Sequence, residues 1–329
     1  MSTPPETFSA FVAIKDDDDV RREIQQWSHD DLGDGDVTIK VTHSSVNYKD
    51  GLATIPKGMV ARISPLIPGI DLAGTVVGDA GGFADGDHVL AHGYALGMSH
   101  HGGYAQYARV PADWVVPLER LSPREAMTIG TAGFTAAMSV QLLQEHGVQP
   151  ADGPVLVTGA SGGVGSMSVD LLAGQGYEVT ASTGSEDASD WLTKLGASDV
   201  IDRLDTSSER PLDKQRWAAA IDSLGGAPLA AILRTLRHGG IVAACGNAAG
   251  MSLPTSVAPF ILRAVTLAGI DSAQFDIAAR RALWARLADD LRPQSLEASE
   301  EVGLDALEDA LDRILDGRTR GRVLVSIDH

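Results

Sequence analysis

Residues 155–165 read Val-Leu-Val-Thr-Gly-Ala-Ser-Gly-Gly-Val-Gly and give the clearest indication of the fold. A hydrophobic run leads directly into a glycine-rich turn that opens a helical pattern. Glycines permit the tight turn and let backbone N–H groups approach a pyrophosphate at the N-terminus of the helix. Written as the dinucleotide fingerprint, the turn is Ala160-x-Gly162-x-x-Gly165, with alanine in the first glycine position. The stretch predicts a nucleotide-binding strand–turn–helix; a βα turn with a purely structural role is the alternative.

Strands and helices alternate from Pro154 to about Gly269, which is the sequence form of a parallel, doubly wound sheet. The predicted strands are Val155–Val157, Glu178–Ser182, Ala218–Asp222, Gly240–Ala244 and Thr266–Gly269, and the predicted helices are Val164–Gly174 and Ala188–Leu195. This α/β pattern predicts a Rossmann domain over residues 126–268.

The residues before this region have a different character. Up to about residue 125, short β segments such as Val37–Val41, Ile70–Val77 and Asp87–Ala91 stand between Gly, Pro and Asp turns, which predicts a closed or folded-over β-rich domain over residues 1–125. Two helices are predicted at the junction, Arg124–Ala137 and Ser139–Glu145. Residues 269–329 carry two further predicted helices (Ala278–Leu291 and Leu304–Leu315) and a last strand (Arg322–Ile327), and we expect this segment to return to the first domain.

Composition narrows the classes of function. The 329 residues carry a formal charge of −18, which argues against nucleic acid or an anionic membrane as a partner. One cysteine, Cys245, forms no internal disulfide and builds no zinc site by itself. The N-terminus shows no signal-peptide pattern, and no apolar run looks long enough to span a bilayer, so a cytoplasmic location is expected. The run Asp16–Asp19 is interpreted as a solvated turn, since a calcium loop needs alternating ligands.

In dinucleotide-binding folds the residues at the end of the second strand contact the adenosine ribose. Here that end is Ser182-Thr183-Gly184-Ser185, where an Asp or Glu would favour NAD. Small hydroxyl side chains leave room for a 2′-phosphate and can donate to it, and Arg203 after the next strand can supply a cation. The acidic pair at residues 186–187 counts against a phosphate. The balance favours NADPH.

Three motifs carry a family resemblance. They are Ser45-Val46-Asn47-Tyr48-Lys49-Asp50, Pro68-Gly69-Ile70-Asp71-Leu72-Ala73-Gly74 and Gly130-Thr131-Ala132-Gly133-Phe134-Thr135. They resemble the quinone oxidoreductase branch of the zinc-free medium-chain dehydrogenases/reductases. The segments at residues 158–166, 243–246 and 253–272 are similar to the bacterial acrylyl-CoA reductase subgroup, and the likeness runs from about Phe8 to Ile327. It implies a GroES-like substrate domain, an inserted Rossmann domain, NADPH as reductant and a homodimer joined along the Rossmann sheet edges.

The resemblance also implies site residues. Tyr48 matches a cofactor-contacting tyrosine and is the candidate catalytic group; ordinary packing in a cleft wall is the alternative. The other matched cofactor-binding positions are Ser161, Gly162, Gly163, Val164, Thr183, Gly184, Ser185, Arg203, Asn247, Ile261 and Ser272. One of them departs from the pattern: relatives usually carry arginine where Ser185 stands, which weakens the phosphate site and relaxes the expected preference for NADPH.

No metal is expected from the residue chemistry. Zinc relatives carry a Cys ligand in the early motif and a His-Glu pair after the Pro-Gly, where this chain has Asn47 and Ile70-Asp71. The histidines at 88, 92, 100 and 101 lack Cys or Glu partners at ligand spacing. Without zinc the fold has no Lewis acid for alcohol oxidation, whereas an α,β-unsaturated carbonyl brings its own electron sink.

The resemblance therefore implies NADPH-dependent reduction of the C=C bond of an enoyl-CoA, acrylyl-CoA to propionyl-CoA, with hydride delivered to the β-carbon. Lys57 and Arg62 are candidates to attract the CoA phosphates, and a solvated face is the equal alternative. A general NADPH quinone or enone reductase is the second interpretation. A non-catalytic nucleotide-binding protein is the remote interpretation, because an intact phosphate loop argues against an inert scaffold. Lys49 and Asp50 are expected to form an ion pair within their loop.

Overall fold

A computed structural model describes residues 5–327, which fold into two compact units. The first unit contains the chain up to Thr131, Ala273–Ala288 and the chain from Leu296 onward. The second contains Ala132–Ser272 and Asp289–Ser295. The chain therefore passes between the units four times, and each unit is built from segments that are distant in sequence.

The first unit is organised around one mixed sheet. Its strands and helices are β1 (Thr7–Asp16), β2 (Asp19–Ser28), β3 (Val37–Ser45), α1 (Tyr48–Ala53), β4 (Asp71–Val76), β5 (His88–His92), β6 (Tyr107–Val110), β7 (Val115–Pro117), the first part of α2 (Pro123–Glu145), and, from the later segments, α7 (Ile277–Leu287), β14 (Glu300–Val302), α8 (Leu307–Leu315) and β15 (Val323–Ser326). The sheet order is β14-β15-β3-β4-β5-β7, and β6 also pairs with β3. The last strand, β15, thus lies beside β3, antiparallel to it.

A long hairpin precedes this sheet. Strands β1 and β2 pair antiparallel in a register that runs from Thr7 opposite Ser28 to Asp16 opposite Asp19. The side chains of Phe8 and Val12 are buried in the core of the first unit. Asp17 has φ 50° in the tight turn, a left-handed conformation that Asp tolerates better than most residues. The interpretation of the Asp run as a solvated turn is confirmed.

The second unit holds a six-stranded, all-parallel sheet. Its elements are β8 (Val155–Thr158), α3 (Gly163–Gly174), β9 (Val179–Ser182), α4 (Ser189–Lys194), β10 (Asp199–Ile201), β11 (Trp217–Asp222), α5 (Gly226–Thr235), β12 (Leu236–Ala244), α6 (Ala258–Arg263) and β13 (Thr266–Gly269). The order β10-β9-β8-β11-β12-β13 is the Rossmann order 3-2-1-4-5-6, with the reversal between β8 and β11. The predicted fold class, a β-rich domain plus a doubly wound parallel sheet, is confirmed.

The junction helix breaks at a different residue from the one predicted. The sequence pattern indicates two helices separated at residue 138, but α2 runs through that position and is interrupted at Gly130, where φ is 55° and ψ is −164°. Glycine adopts this conformation at little cost. The expectation of no membrane-length apolar segment also needs correction. By length and composition α2 is apolar enough to cross a bilayer, yet 78% of its most apolar stretch is buried inside the protein, as in a core helix.

A buried carboxylate holds the last segment of the second unit. Asp170 on α3 accepts hydrogen bonds from the backbone N–H groups of Gln294 (2.9 Å) and Ser295 (3.0 Å). Burial raises the pKa of Asp170, and the two N–H donors oppose that rise. Helix α7 ends at Leu287, four residues before the predicted end, and the segment that Asp170 holds follows it.

Candidate functional site

The phosphate loop is shaped by three glycines. Gly159 directly follows β8 and has φ 58°, so the left-handed turn belongs to Gly159, one residue before the position that the fingerprint assigned to Ala160. A Cβ on Gly165 would lie 2.2 Å from the carbonyl oxygen of Gly159, so only glycine lets α3 approach the strand this closely. At Gly162 a Cβ would meet only one atom, at 3.4 Å. The loop therefore opens toward a ligand at the N-terminus of α3, where unpaired N–H groups favour a pyrophosphate.

Hydroxyl groups from this loop and from the end of β9 meet at one place. The Thr183 hydroxyl donates to Ser161 Oγ (2.9 Å) and accepts from the backbone N–H of Ser185 (3.1 Å), and Ser185 Oγ lies 3.4 Å from Ser161 Oγ. The pyrophosphate loop and the ribose turn are thus tied together. Hydroxyls can rotate to donate to a phosphate, which an Asp or Glu at the same strand end could not do.

Arg203 completes this hydroxyl cluster. Its guanidinium lies so close over Gly184 that a Cβ added there would be 2.1 Å from Arg203 Nε and 2.7 Å from Cζ. A side chain at position 184 would therefore shift the guanidinium from its place over the turn. The cluster of Ser161, Thr183, Ser185 and Arg203 presents one cation and three hydroxyls, and the exposed acidic residues Glu186 and Asp187 directly follow Ser185. These residues fit the 2′-phosphate of NADPH.

Sequence reasoning missed a buried carboxylate at the point where the strand order reverses. Asp222 ends β11 beside β8, accepts from the Thr158 hydroxyl (2.5 Å) and accepts from the backbone N–H of Gly225 (2.8 Å). Burial raises its pKa. Ligands of open α/β sheets bind outside the carboxyl ends of the strands at this reversal. The available signal was a polar residue that ends an apolar strand next to the phosphate-loop strand.

Three predicted cofactor positions lie on other elements of the second unit. Asn247 is exposed in the turn after β12. Ile261 lies on α6 with 73% of its surface exposed. Ser272 follows β13, and its Oγ accepts from the Thr135 hydroxyl (2.8 Å). The hydrogen bonds found in residues 5–327 bring Ser161, Thr183 and Ser185 together but do not extend to Asn247 or Ile261.

Tyr48 belongs to the first unit, where it is the first residue of α1 and is 43% exposed. The residue before it is fixed twice. The Asn47 backbone N–H donates to Asp50 Oδ2 (2.9 Å), and its side-chain amide donates to Asp71 Oδ2 (3.0 Å). The phenol of Tyr48 thus projects from a rigid support toward solvent.

The expected ion pair between Lys49 and Asp50 is wrong. Asp50 is fully buried and turns inward, where it accepts from the backbone N–H groups of Gly69 (3.1 Å) and Ile70 (2.8 Å) as well as Asn47. Burial, followed by the nearby Asp71 carboxylate, raises the pKa of Asp50 to about 7, and the hydrogen bonds from Ile70 and Asn47 oppose that rise. Asp50 therefore fastens the loop from within.

The residues at the zinc position of the fold do not fit a metal. Asn47 replaces the cysteine ligand and Ile70 replaces the histidine, while the carboxylate of Asp71 is occupied by hydrogen bonds to its neighbours. Within the described chain no three His, Cys, Asp or Glu side chains are grouped to hold an ion. Of the candidate histidines, His92 is buried in the core, where it accepts from Trp284 Nε1 (2.9 Å), and burial lowers its pKa well below the ordinary value.

Comparison with known proteins agrees with this geometry. Residues 33–120 match the alcohol dehydrogenase GroES-like domain, and residues 163–289 match the zinc-binding dehydrogenase family. The chain is 48% identical to the putative quinone oxidoreductase YhfP of Bacillus subtilis (97% of this chain, 99% of that one). The structure of YhfP with NAD bound gives a TM-score of 0.94.

Two further relatives bear on the chemistry. The acrylyl-CoA reductase AcuI of Ruegeria pomeroyi is 45% identical over 98% of this chain and 99% of its own length. The yhdH oxidoreductase of Salmonella enterica, solved in complex with NADP, has a TM-score of 0.94 at 46% identity and covers 97% of this chain and 100% of its own. The chain therefore belongs to the medium-chain dehydrogenase/reductase family of oxidoreductases, in its zinc-free quinone oxidoreductase branch beside the bacterial acrylyl-CoA reductases.

Proposed function

We propose that this enzyme uses NADPH to reduce the C=C bond of an α,β-unsaturated acyl-CoA, converting acrylyl-CoA to propionyl-CoA. The observation that carries the cofactor part is the hydroxyl cluster with Arg203 over Gly184, which combines one cation with three hydroxyls where an Asp or Glu at the strand end would favour NAD. The substrate part is supported by the likeness to AcuI along nearly the whole chain.

The bound cofactor supplies a hydride to the β-carbon of the substrate. In this proposal the pyrophosphate is held by the backbone at Gly162, Gly163 and Val164, and the 2′-phosphate by the hydroxyl cluster with Arg203. The further cofactor contacts of Asn247, Ile261 and Ser272 are proposed from the family resemblance. Addition of hydride to the β-carbon leaves an enolate on the thioester, and a proton from solvent then reaches the α-carbon to complete the reduction. Hydrogen-bond donors stabilise the charge of the enolate most when they are already oriented.

Tyr48 is the proposed donor to that enolate. It is an exposed polar side chain that directly follows Asn47, which is buried and hydrogen-bonded. A hydroxyl in this role contributes on the order of 10²-fold or more to the rate. If Tyr48→Phe retained the wild-type kcat and KM, Tyr48 would have no catalytic hydroxyl function.

Two cations are proposed to attract the CoA phosphates. Lys57 and Arg62 are exposed, and neither makes an ion pair with the described part of the chain. They offset the acidic background locally. Replacing both by Glu is expected to raise the KM for a CoA thioester far more than the KM for a small quinone. Equal effects on the two substrates would remove them from the CoA site.

A second candidate is a general NADPH quinone or enone reductase. It is favoured by the 48% identity to YhfP, which is named a putative quinone oxidoreductase. A non-catalytic nucleotide-binding role remains the remote candidate. The deciding experiment follows NADPH oxidation with acrylyl-CoA, crotonyl-CoA and benzoquinone in parallel. A kcat/KM for acrylyl-CoA far above that for the quinone supports the thioester reductase; the reverse order supports the second candidate, and inactivity with all three the third.

We also propose a cytoplasmic homodimer that pairs through β13. This strand is the edge of the Rossmann sheet, and unpaired strand edges invite a partner strand. The neighbouring helix α6 exposes Ile261 (73%) and Leu262 (64%), and Val257 just before it is also exposed (66%). Light scattering should give a dimer mass for the wild type and a monomer for Val257→Asp/Leu262→Asp. A wild-type monomer would refute the assembly.

A further inference from the structure

The first unit buries three ionisable side chains almost completely. Asp50 and Asp71 are 0% exposed and Arg322 is 4% exposed. Buried charges are costly unless they are paired and hydrogen-bonded, so an arrangement of two carboxylates around one guanidinium needs an explanation. The hydrogen bonds of each group show what the arrangement holds.

Asp71 accepts hydrogen bonds from two separate parts of the chain. Its Oδ1 accepts from the backbone N–H (3.1 Å) and the hydroxyl (2.8 Å) of Ser45. Its Oδ2 accepts from the side-chain amide of Asn47 (3.0 Å) and from the backbone N–H of Thr131 (2.9 Å). Thr131 begins the second part of α2, after the break at Gly130, so Asp71 also caps a helix N-terminus.

Arg322 donates hydrogen bonds to oxygen atoms of the same residues and of α2, whereas Asp71 accepts hydrogen bonds. Its Nε donates to the carbonyl of Thr128 (3.0 Å), which belongs to the first part of α2, and Nη2 donates to the Ser45 hydroxyl (2.6 Å). Nη1 faces the side-chain oxygen of Asn47 (3.4 Å). A Cβ on Gly130 would lie 2.4 Å from Nη2 and 3.0 Å from Asp71 Oδ2, so the charged pair fills the break in the helix.

Asp50 closes the loop from the other side, through the backbone of Asn47, Gly69 and Ile70. Both polar ends of the Asn47 side chain are therefore engaged, its amide by Asp71 and its oxygen by Arg322. Asn47 in turn precedes Tyr48 directly. The hydrogen bonds of Asn47 therefore hold the backbone from which the Tyr48 side chain extends.

We propose that Asp71 is a positioning residue for Tyr48, acting through Asn47 and Ser45 to hold the start of α1 in the orientation that the reaction requires. This inference rests on the proposed role of the Tyr48 hydroxyl. An amide at position 71 would turn N–H groups toward the Asn47 amide or the Thr131 N–H. The expected result is a loop that stays folded but presents the phenol less accurately.

The test is a double-mutant cycle of Tyr48→Phe and Asp71→Asn, measured as kcat with the preferred acceptor at saturating NADPH. Asp71→Asn is expected to lower kcat about tenfold when Tyr48 is present and less than about twofold in the Tyr48→Phe background. Ser45→Ala is a milder second variant, which removes the hydroxyl between Asp71 and Arg322. It should show the same dependence on Tyr48 even if Asp71→Asn does not fold.

Asp170→Asn is the matched control, since Asp170 is another buried carboxylate that accepts two backbone N–H groups. It should lower the melting temperature and leave the rate factor due to Tyr48 unchanged. Equal losses from Asp71→Asn in both backgrounds would overturn the positioning role while leaving the function of Tyr48 intact. A wild-type kcat for Tyr48→Phe alone would instead overturn the proposed role of Tyr48 and the positioning inference with it, without touching the NADPH reductase activity.

Discussion

Replacing Arg203 by alanine should convert a preference for NADPH into near indifference. The guanidinium lies against Gly184, within reach of a phosphate held by the Ser161, Thr183 and Ser185 hydroxyls. A hydrogen bond to a charged group contributes about 1.5–3 kcal/mol, and because Arg203 is exposed the lower half of this range applies. A loss of about 1.5–2 kcal/mol corresponds to roughly 10- to 30-fold in affinity.

The assay compares kcat/KM for NADPH and NADH with one acceptor in wild type and Arg203→Ala. NADH lacks the 2′-phosphate, so its kcat/KM should stay within about twofold of the wild-type value while that for NADPH falls by the factor above. Arg203→Lys serves as the control, since it keeps the charge but loses the planar donor set, and should fall between the two. Parallel losses for both cofactors would show that Arg203 supports the turn and does not read the phosphate.

The phosphate site, the phosphate loop and the buried Asp50 can each be tested by one substitution. Ser185→Arg adds a second cation to the hydroxyl cluster and should raise the NADPH-to-NADH ratio of kcat/KM about tenfold; an unchanged ratio would place position 185 outside the phosphate site. Gly165→Ala puts a Cβ 2.2 Å from the Gly159 carbonyl and 2.7 Å from Ala160 Cα, both backbone atoms, so it should cost about 1–3 kcal/mol of stability and raise the KM of both cofactors. A wild-type melting temperature would contradict that. The pKa of Asp50 is raised from 3.8 to about 7 in the folded protein, so its contribution to stability is full below pH 3.8 and is lost as the pH rises through 7. The free energy of unfolding should therefore fall by up to about 1.4 kcal/mol per pH unit in this window, and Asp50→Asn should flatten the slope; parallel wild-type and variant curves would refute the shift.

The parts of the fold that could be predicted are those in which local pattern and tertiary structure agree. The apolar run at Val155 meets its glycines without a gap, so strand, turn and helix were recognisable together. Strand β2 was not recognisable, because Asp19–Ser28 is largely polar and only Trp27 is well buried. The break in α2 was placed near residue 138, since helical periodicity says nothing of the charged pair that occupies the break at Gly130.

The residues of the candidate site also differ in how far the sequence predicts their position. Ser161, Thr183 and Ser185 follow strands of known order, so their meeting could be anticipated from topology. Asp222 and Thr158 are 64 residues apart in sequence and Asp71 and Thr131 are 60 residues apart, and nothing in either local pattern indicates the other. Long-range pairings of buried carboxylates are decided by packing, which a single sequence does not reveal.

The segment around Gln294 and Ser295, which Asp170 holds, determines which truncated forms of the protein keep their buried hydrogen bonds. A gene fragment that ends after the last Rossmann strand, at Ser272, would carry all six parallel strands and the whole hydroxyl cluster. It would nevertheless omit Gln294 and Ser295, whose N–H groups are the partners of Asp170. The excised piece would keep a carboxylate inside helix α3 with its two donors removed, and losing such partners costs a folded protein more than the bonds themselves contribute. An isolated nucleotide-binding unit must therefore contain two separate segments of the chain, and the second segment must extend at least to residue 295.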